Sequence, residues 1–355
     1  MVVFFSALRR LFVLLMLFAS SAQAVDIPSL DLGSSEQRYN LSEYTFVYVD
    51  EDKNKSIEDV SLQDASNHFE KNSKQVINYG YSDATYWVRI KVRSSLPTEK
   101  EWLLEVSYPM LDYVNLYASS SKGELEVFES GELVPYKDRP YQHRNIMFPV
   151  VLSAGEEKTL YLQVKSQGSM RIPVSILDRE VLKSDDEIFN IFQGGFYGII
   201  AVMAFYNILI FIITKRKSYL YYVLFIISNS MANLIAVGHG SEFLWNESVV
   251  FSNASILLSG LSFIVFANLF SQSYLDTKVN FPIAHTYLKF LMVLGLVLLP
   301  FTINQDIYLY LIRILALFVF LTAVSIMTVG VLCWYRGSRA ARYFTIATSF
   351  YFVGL

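Results

Sequence analysis

The chain has 355 residues, a formal net charge of -3 and 53% hydrophobic residues, with one cysteine and four histidines. A chain without a basic excess is not built to neutralise nucleic-acid phosphates, so nucleic acid is excluded as an expected partner. A single cysteine excludes an intrachain disulfide framework, and a water-exposed domain must therefore be stable through its own core.

Charge and hydropathy divide the chain near Asn190. Residues 25–190 carry 18 Lys or Arg against 28 Asp or Glu, a net charge of -10, whereas residues 191–355 carry 9 against 4, a net charge of +5. The second part is also crowded with Leu, Ile, Val and Phe. This shift predicts a water-exposed domain followed by a membrane domain that contacts the lipid bilayer.

The first 24 residues have the pattern of a secretory signal peptide. Arg9 and Arg10 precede the apolar run Leu11–Phe18, and the segment ends in Ala-Gln-Ala at Ala24, a small-x-small cleavage pattern. We predict a cleaved signal peptide over residues 1–24. An uncleaved first transmembrane helix is the alternative, although the apolar run is short for a bilayer core of about 30 Å.

Residues 25–183 contain several short stretches in which apolar and polar residues alternate. In Thr85–Arg93 every second residue from Tyr86 to Val92 is apolar, and Lys158–Ser166 repeats the pattern. A period of two is typical of β-strands with one buried face. Turn signals such as Ser-Lys-Gly and Ser-Ala-Gly separate the stretches. We predict an all-β sandwich, which the secretory signal would place in the periplasm.

The acidic segment Ser184–Glu187 lies between the two predicted domains. It places a hydroxyl residue three positions before a glutamate, the pattern of a capping box, and predicts a helix that begins here and runs into the membrane. Such a helix would couple the sandwich rigidly to the first span. A flexible acidic linker is the alternative, and the pattern does not decide between them.

Residues 184–355 predict a polytopic helical bundle of the seven-transmembrane type. A sixth apolar segment begins near Tyr343 and is incomplete at Leu355. Each of the five complete segments is apolar enough to cross a bilayer or to come close to doing so. They are residues 191–213, 219–237, 254–273, 288–303 and 307–332.

Positive charges in the short connections predict the orientation of the bundle. Basic residues follow the first span at Lys215–Lys217 and the fifth span at Arg336–Arg342, while residues 238–253 and 304–306 contain no Lys or Arg. Because short cytoplasmic loops are enriched in these residues, odd-numbered spans should end in the cytoplasm. This agrees with a secreted sandwich and predicts a multi-pass protein of a bacterial inner membrane with its N-terminal domain in the periplasm.

Polar residues inside the predicted spans are candidates for a membrane relay. An unpaired amide is costly in hydrocarbon, so Asn207, Asn229, Asn233 and Asn268 should face the bundle interior, where they either serve helix packing or form a hydrogen-bond relay. Arg313 is the one deeply placed charge, and it either snorkels to the interface or pairs with a buried partner. No acidic residue lies inside a span, which argues against proton-coupled transport.

Aromatic and hydrogen-bonding residues of the sandwich are candidates for ligand contact. An aromatic ring beside fixed polar groups suits sugar recognition, because the ring covers apolar C–H surface while the polar groups bind hydroxyls. Core packing is the alternative for each aromatic residue. The segment Arg139–Asn145 either contacts a ligand or forms an internal hydrogen-bond network. The candidates are Trp87, Arg89, Tyr108, Tyr113, Tyr117, Tyr141, His143, Arg144 and Asn145.

Catalytic and metal-binding patterns are missing from the sequence. His68, His143, His239 and His285 have no metal-ligand spacing, and there is no Gly-rich phosphate loop or nucleophile-elbow motif. We therefore expect this chain to be no enzyme, with no catalytic residue, no metal and no cofactor.

Four segments in order carry a family resemblance: Asn78–Val92, Trp102–Tyr117 and Arg139–Ile176 in the sandwich, and Gly194–Phe225 in the membrane part. With them the chain resembles the bacterial seven-transmembrane receptors with diverse intracellular signalling modules, with their type 2 extracellular domain. The resemblance implies a jelly-roll-like sandwich, similar to carbohydrate-binding modules, and seven helices that pass signals to a cytoplasmic output such as a diguanylate cyclase or a histidine kinase. The sequence departs from that pattern because it stops within the sixth span.

These expectations favour a signalling receptor whose sandwich binds a small molecule, such as a carbohydrate, and whose bundle relays the signal to an output domain absent from this chain. Two alternatives stay open. One is a transporter or channel with a substrate-binding outer domain, although no inverted repeat is visible among the spans. The other is a membrane-anchored carbohydrate-binding module without signalling. A homodimer is left open as a further partner, and the sequence does not identify the ligand.

Overall fold

The computed structural model shows a β-sandwich followed by a helical bundle. The predicted signal peptide, residues 1–24, lies outside the described residues. The described residues are 28–33, 36–61, 68–119, 125–245, 248–304 and 307–354.

Short strands build the sandwich, as the alternating patterns predict. One short helix, α1 (Ile57–Ser61), lies between the third and fourth strands. The strands in the described residues are β1 (Leu30–Leu32), β2 (Arg38–Asn40), β3 (Thr45–Asp50), β4 (Glu70–Lys71), β5 (Ile77–Tyr81), β6 (Thr85–Ser94), β7 (Lys100–Val106), β8 (Tyr113–Ser119), β9 (Leu125–Ser130), β10 (Ile146–Leu152), β11 (Glu157–Lys165), β12 (Ser169–Ile172) and β13 (Val174–Leu177).

Two sheets face each other across the main core. The larger sheet has the order β4-β3-β6-β11-β8-β9, with β1 added in parallel beside β6, and the smaller sheet has the order β10-β7-β13-β2. Strands β5 and β12 form a separate antiparallel pair. Val88 and Ile90 lie opposite Leu162 and Leu160 in the larger sheet, and all four side chains are fully buried. The predicted sandwich is therefore confirmed, and the period-two pattern reflects its buried face.

The opposite face of β6 is covered as well. Trp87 and Arg89 point away from the main core, yet they are only 0% and 5% exposed. Trp87 belongs to a second apolar cluster with Phe46, Val60 and Phe69, which α1 and the residue before β4 help to form. The Arg89 guanidinium lies 4.3 Å from the centre of the Phe69 ring. A second, smaller core thus stabilises the outer side of the larger sheet.

The sandwich continues directly into one long helix, α2 (Arg179–Thr214). The capping-box prediction of a start at Ser184 is wrong, because the Asp178 side chain accepts a hydrogen bond from the Glu180 backbone N–H at 2.9 Å and caps the helix six residues earlier. Of the two alternatives for the junction, the continuous helix is the one observed. Its 36 residues span about 54 Å, well beyond a bilayer core of about 30 Å.

Five helices in the described part of the chain are long and apolar enough to cross a membrane. Their ends lie within six residues of those of the five complete predicted spans, apart from the early start of α2. A 3-10 segment, Leu299–Ile303, extends the helix Pro282–Leu298, and the 16-residue helix Arg339–Gly354 lies where the sixth span is predicted. The helices after α2 are α3 (Lys217–Ala236), α4 (Val249–Tyr274), α5 (Thr277–Asn280), α6 (Pro282–Leu298), α7 (Tyr308–Tyr335) and α8 (Arg339–Gly354).

The sandwich rests directly on the connection between α3 and α4. Gly238, just beyond α3, has a φ of +87°, and a Cβ atom at this position would come within 3.0 Å of the carbonyl carbon of Arg144 and closer still to its oxygen. Only glycine permits both this backbone conformation and this approach. The two domains therefore touch backbone to backbone at this point.

Candidate functional site at the junction

A cleft of about 660 Å³ lies where the sandwich meets the first turns of α2. The sandwich contributes polar side chains from β2, β7, β13 and the segment before β10, and α2 contributes carboxylates and apolar residues. Groups of both charges and neutral hydrogen-bonding groups therefore face one volume, as in many small-molecule sites. The residues that line the cleft include Arg38, Asn40, Glu105, Arg144, Asn145, Ser175, Asp185, Asp186 and Phe189.

The sandwich wall of the cleft is organised around Glu105. This residue is 4% exposed, and its carboxylate accepts hydrogen bonds from Asn145 Nδ2 at 2.7 Å, from Ser175 Oγ at 3.0 Å and from Arg38 Nη2 at 3.4 Å. A buried carboxylate is tolerated only when donors surround it in this way. The network fixes the Asn145 side chain at the wall of the cleft.

The α2 wall is held to the sandwich through Asp186. His143 Nε2 lies 3.0 and 3.1 Å from its two carboxylate oxygens, and Arg144 Nη2 donates to one of them at 2.9 Å. The Arg144 guanidinium also lies 3.7 Å from the centre of the Phe189 ring, one turn further along α2. Two consecutive residues of the sandwich thus hold a carboxylate and an aromatic ring of the same helix.

The His143 ring is held in one tautomer by its neighbours. The backbone N–H of Asn145 donates to His143 Nδ1 at 3.1 Å, so Nδ1 is the acceptor and the proton of the neutral ring lies on Nε2. That proton points to Asp186. The imidazole is therefore oriented from both sides, by the loop it belongs to and by α2.

A second ion pair crosses the cleft. Arg38, on β2, donates to Asp185 at 2.8 Å in addition to its contact with Glu105. The side chains of Arg38 and Asp185 are 44% and 43% exposed, so solvent weakens this pair strongly. Because it is accessible and weak, it is the part of the cleft that an incoming ligand could most easily replace.

A further contact region between the sandwich and the bundle lies outside the cleft. Ser252 Oγ, on α4, donates to Glu132 at 3.0 Å, and Tyr136 donates to Glu242 at 3.5 Å. Burial and the nearby Glu242 carboxylate raise the pKa of the Tyr136 hydroxyl to about 12, so it remains a donor. Arg139, buried between these groups, donates to the carbonyl oxygens of Val134 and His143.

The structure brings three of the predicted ligand-binding residues together at the junction: His143, Arg144 and Asn145. Tyr141 lies near them, with the Arg179 guanidinium 5.9 Å from its ring centre at the start of α2. Of the two alternatives for the segment Arg139–Asn145, an internal hydrogen-bond network is present. Its contact with a ligand stays a prediction.

The other predicted residues of the sandwich lie elsewhere. Trp87 and Arg89 are buried in the second core, where Tyr117 lies beside Trp87 at a ring distance of 5.7 Å. Tyr113 is 43% exposed and lines a separate shallow cleft beside β9, and Tyr108 is half-buried against the main core. The aromatic candidates therefore do not form one surface in this structure.

The predicted relay residues of the bundle occupy different environments. Asn207 is buried and donates to the Met203 carbonyl of its own helix at 2.8 Å. Asn233 accepts a hydrogen bond from Tyr197 at 3.2 Å and so links α3 to α2. Asn229 is half-buried on α3, and Arg313 is exposed on α7. A role in signalling stays a prediction for all four.

Sequence reasoning missed the acidic partners of the site. Asp185 and Asp186 lie in the segment interpreted as a capping box, and Glu105 lies within a strand where its polar character is ordinary for an alternating pattern. The cluster of carboxylates directly before an apolar helix is the signal that could have identified Asp186. Among the described residues, no group of three His, Cys, Asp or Glu side chains is arranged to hold a metal ion.

Comparisons with known proteins match both domains. Residues 42–178 match the family described as 7TMR-DISM extracellular 2, and residues 189–355 match the family described as 7TM diverse intracellular signalling. No curated protein matches the chain. A solved structure with partial similarity is the GH31 alpha-xylosidase from Xanthomonas citri, at 13% identity and a TM-score of 0.18. That match covers 38% of this chain and 16% of the enzyme. It is too weak to bear on fold or activity.

The two family matches follow each other in the order of the sandwich and the bundle, and together they span most of the chain. The chain is a multi-pass membrane protein and belongs to the 7TMR-DISM family, the seven-transmembrane receptors with diverse intracellular signalling modules.

Proposed function

We propose that the chain is the sensing part of a signalling receptor, with the sandwich in the periplasm and the bundle in a bacterial inner membrane. One observation carries this proposal. His143 and Arg144 form hydrogen bonds with Asp186 on α2, and α2 continues to Thr214 without a break. A rearrangement of the cleft would therefore move a helix that crosses the membrane.

The proposed ligand is a small polar molecule, with carbohydrate as the first class to test. A sugar hydroxyl both donates and accepts hydrogen bonds. The cleft offers acceptors on Glu105 and Asp185 beside donors on Arg38 and Asn145, so both roles are served within one volume. Its size of about 660 Å³ lies within the range of roughly 300–1,000 Å³ that is usual for small-molecule sites.

The proposed relay uses the contacts of α2 with the sandwich. A ligand that takes hydrogen bonds from Arg38 or Arg144 competes with Asp185 or Asp186 and changes how α2 is held. If the ligand binds one arrangement of α2 better than another, it shifts the equilibrium between them. An output domain on the cytoplasmic side would respond to that shift.

Binding measurements on the full chain in lipid nanodiscs, with a panel of labelled glycans, test the ligand. We expect at least one glycan to bind, and the Arg38→Gln variant to lower its affinity about tenfold, the effect of about 1.4 kcal/mol. The matched control is Lys53→Gln, which removes an exposed cation that pairs with Asp83 outside the cleft. No binding by any glycan, or equal losses in both variants, would contradict the carbohydrate proposal.

A spin label at Lys215, directly beyond α2, tests the relay. Addition of the bound glycan should change the label's mobility in the otherwise unmodified chain and leave it unchanged in the Asp186→Asn variant. Transport of the glycan into proteoliposomes, without a change at Lys215, would instead support the transporter alternative.

A further inference from the structure

A buried glutamate links the sandwich to the bundle outside the cleft. Glu132 follows β9, is 7% exposed, and accepts a hydrogen bond from Ser252 Oγ on α4 at 3.0 Å. This is the one side-chain hydrogen bond that the described residues give it. The carboxyl group therefore lies between two domains with little compensation for a negative charge.

The backbone around Glu132 is fixed, so its side chain cannot readily turn to solvent. Gly131 has a φ of +138°, and a Cβ atom there would come within 2.9 Å of the Tyr113 Cα. The Glu132 N–H donates to the Leu111 carbonyl at 2.7 Å, and the Leu133 N–H donates to the Asp112 carbonyl at 3.1 Å. The turn is held against the β7–β8 connection, and Glu132 is held at the interface with it.

A second buried carboxylate, Asp112, lies nearby, and more hydrogen-bond donors stabilise its negative charge. Asp112 accepts hydrogen bonds from the Gln167 N–H at 2.8 Å and from Ser166 Oγ at 3.3 Å. Burial raises the pKa of Asp112, and these two hydrogen bonds oppose the rise. Burial, reinforced by the Asp112 charge, raises the pKa of Glu132 to about 7. With a pKa of about 7, Glu132 binds and releases its proton near neutral pH.

The space around Glu132 leaves little room for hydration. A cavity of about 10 Å³ adjoins it, lined also by Tyr136, Trp245 and Ser248. That volume suits about one water molecule. The indole N–H of Trp245 is buried and has no hydrogen-bond partner among the described residues. An ionised carboxylate needs several donors or waters, so the charged form of Glu132 is poorly accommodated while the domains are docked.

Charged and titratable groups from every neighbouring element surround the site. Arg139 acts on the Glu132 pKa in the opposite direction to Asp112, but its guanidinium donates to carbonyl oxygens. The pair His239 and Glu242 lies on the connection between α3 and α4. Among the described residues, the charged and titratable groups around Glu132 and its neighbours are Tyr108, Asp112, Tyr136, Arg139, His239, Glu242 and Tyr308.

We propose that Glu132 is a proton-binding site through which the pH on the sandwich side of the membrane controls the docking of the sandwich on the bundle. Neutral Glu132 accepts the Ser252 hydrogen bond and fits an interface that has room for about one water molecule. Ionised Glu132 is repelled by Asp112 and is hydrated only if the interface opens. The proton is thus an input separate from any ligand of the cleft.

The direction of the effect follows from linkage. The docked state has the raised pKa of about 7, and a separated state has the ordinary value of 4.5, so the docked state binds more protons between these values. Docking is therefore strongest at acidic pH. As the pH rises from 4.5 through about 7, the ratio of docked to separated molecules falls by up to about tenfold per pH unit.

Hydrogen exchange of the full chain in nanodiscs, corrected for intrinsic rates, tests the proposal at about pH 5.5 and about pH 8. Amides of residues 125–139 and 251–256 should lose protection at least several-fold at the higher pH. The Glu132→Gln variant, which mimics the neutral acid, should stay protected at both values. The control Glu129→Gln, an exposed acid on β9, should behave as the unmodified chain. Equal protection of the unmodified chain at both values, or a pH-dependent loss retained by Glu132→Gln, would overturn the proposal.

Infrared titration of the unmodified chain gives a second test that does not need a folded Glu132 variant. With carbon-13 glutamate, a protonated carboxyl band should disappear as the pH rises through about 7, and the Glu129→Gln variant should show the same transition. A chain in which all glutamate bands titrate near 4.5 would overturn the proposal. Neither measurement requires a ligand or an output domain, so its failure is distinct from failure of the proposed receptor function.

Discussion

His143 Nε2 lies 3.0 Å from a carboxylate oxygen of Asp186, and this hydrogen bond joins the segment before β10 to the third turn of α2. The ring is 8% exposed, and its other nitrogen is already occupied by the Asn145 N–H. Loss of the Asp186 carboxylate would leave a largely buried N–H without its acceptor, which is more costly than loss of the hydrogen bond alone.

The first prediction concerns the contacts of Asp186 that attach α2 to the sandwich. Asp186→Asn removes the charge that pairs with Arg144 and weakens the hydrogen bond from His143, at a cost of about 1 kcal/mol because Asp186 is partly exposed. Hydrogen exchange over residues 179–190 should accelerate about fivefold. The control Asp83→Asn breaks an exposed pair with Lys53 and should leave that exchange unchanged. Unchanged exchange in Asp186→Asn would show that the ion pair does not fix α2.

The second prediction concerns the backbone contact between the domains. Gly238→Ala places a methyl group against the Arg144 carbonyl and should destabilise the junction by about 2 kcal/mol or more. Gly155→Ala is the matched control, because Gly155 also has a positive φ but has open space around it, and it should cost about 1 kcal/mol of backbone strain. Thermal unfolding in detergent measures both. Equal losses would mean that Arg144 moves aside readily.

The third prediction separates packing from ligand binding at Trp87. The side chain is fully buried and its indole N–H has no hydrogen-bond partner among the described residues, so Trp87→Phe loses volume but no hydrogen bond. We expect a loss of stability of about 1–2 kcal/mol for Phe and about 3–5 kcal/mol for Ala. Glycan affinity of the folded Trp87→Phe variant should be unchanged. A variant with normal stability and lost binding would assign Trp87 to the ligand site.

The fourth prediction concerns the contact between the first two membrane helices. Tyr197 on α2 donates to Asn233 on α3 at 3.2 Å, and Tyr197→Phe should destabilise their packing by about 0.6 kcal/mol, the usual size of such a bond in a membrane. The control Tyr206→Phe changes a hydroxyl on an exposed tyrosine of the same helix. Reversible unfolding in mixed micelles measures the difference. If both variants are equally stable, the bond contributes nothing measurable.

The architecture could be predicted because its signals are local and repeated. Alternation in Thr85–Arg93 and Lys158–Ser166 marks strands with a buried face, and long apolar segments mark the spans. The start of α2 could not be fixed, because Ser184 and Asp178 both have the residue types of a helix cap. The choice depends on where β13 ends at Leu177, which the sequence does not mark.

The site could be predicted only in part because its contacts join distant parts of the chain. The segment Arg139–Asn145 attracted attention through its own composition, but its partner Asp186 is 43 residues away from His143. Glu132 and Ser252 are 120 residues apart, and nothing in either neighbourhood indicates the other. Trp87 has the residue type of a sugar-binding platform, and only the position of α1 shows that it is covered.

The unbroken course of α2 also sets an angular relation between its two ends. Each residue of an α-helix advances the azimuth by about 100°, and α2 is one continuous helix from Arg179 to Thr214. The direction in which Asp186 faces the sandwich therefore determines the direction in which Thr214 faces on the opposite side of the membrane. A rotation of α2 about its axis at the sandwich end would therefore rotate Thr214 at the other end, without any shift of the helix along its axis.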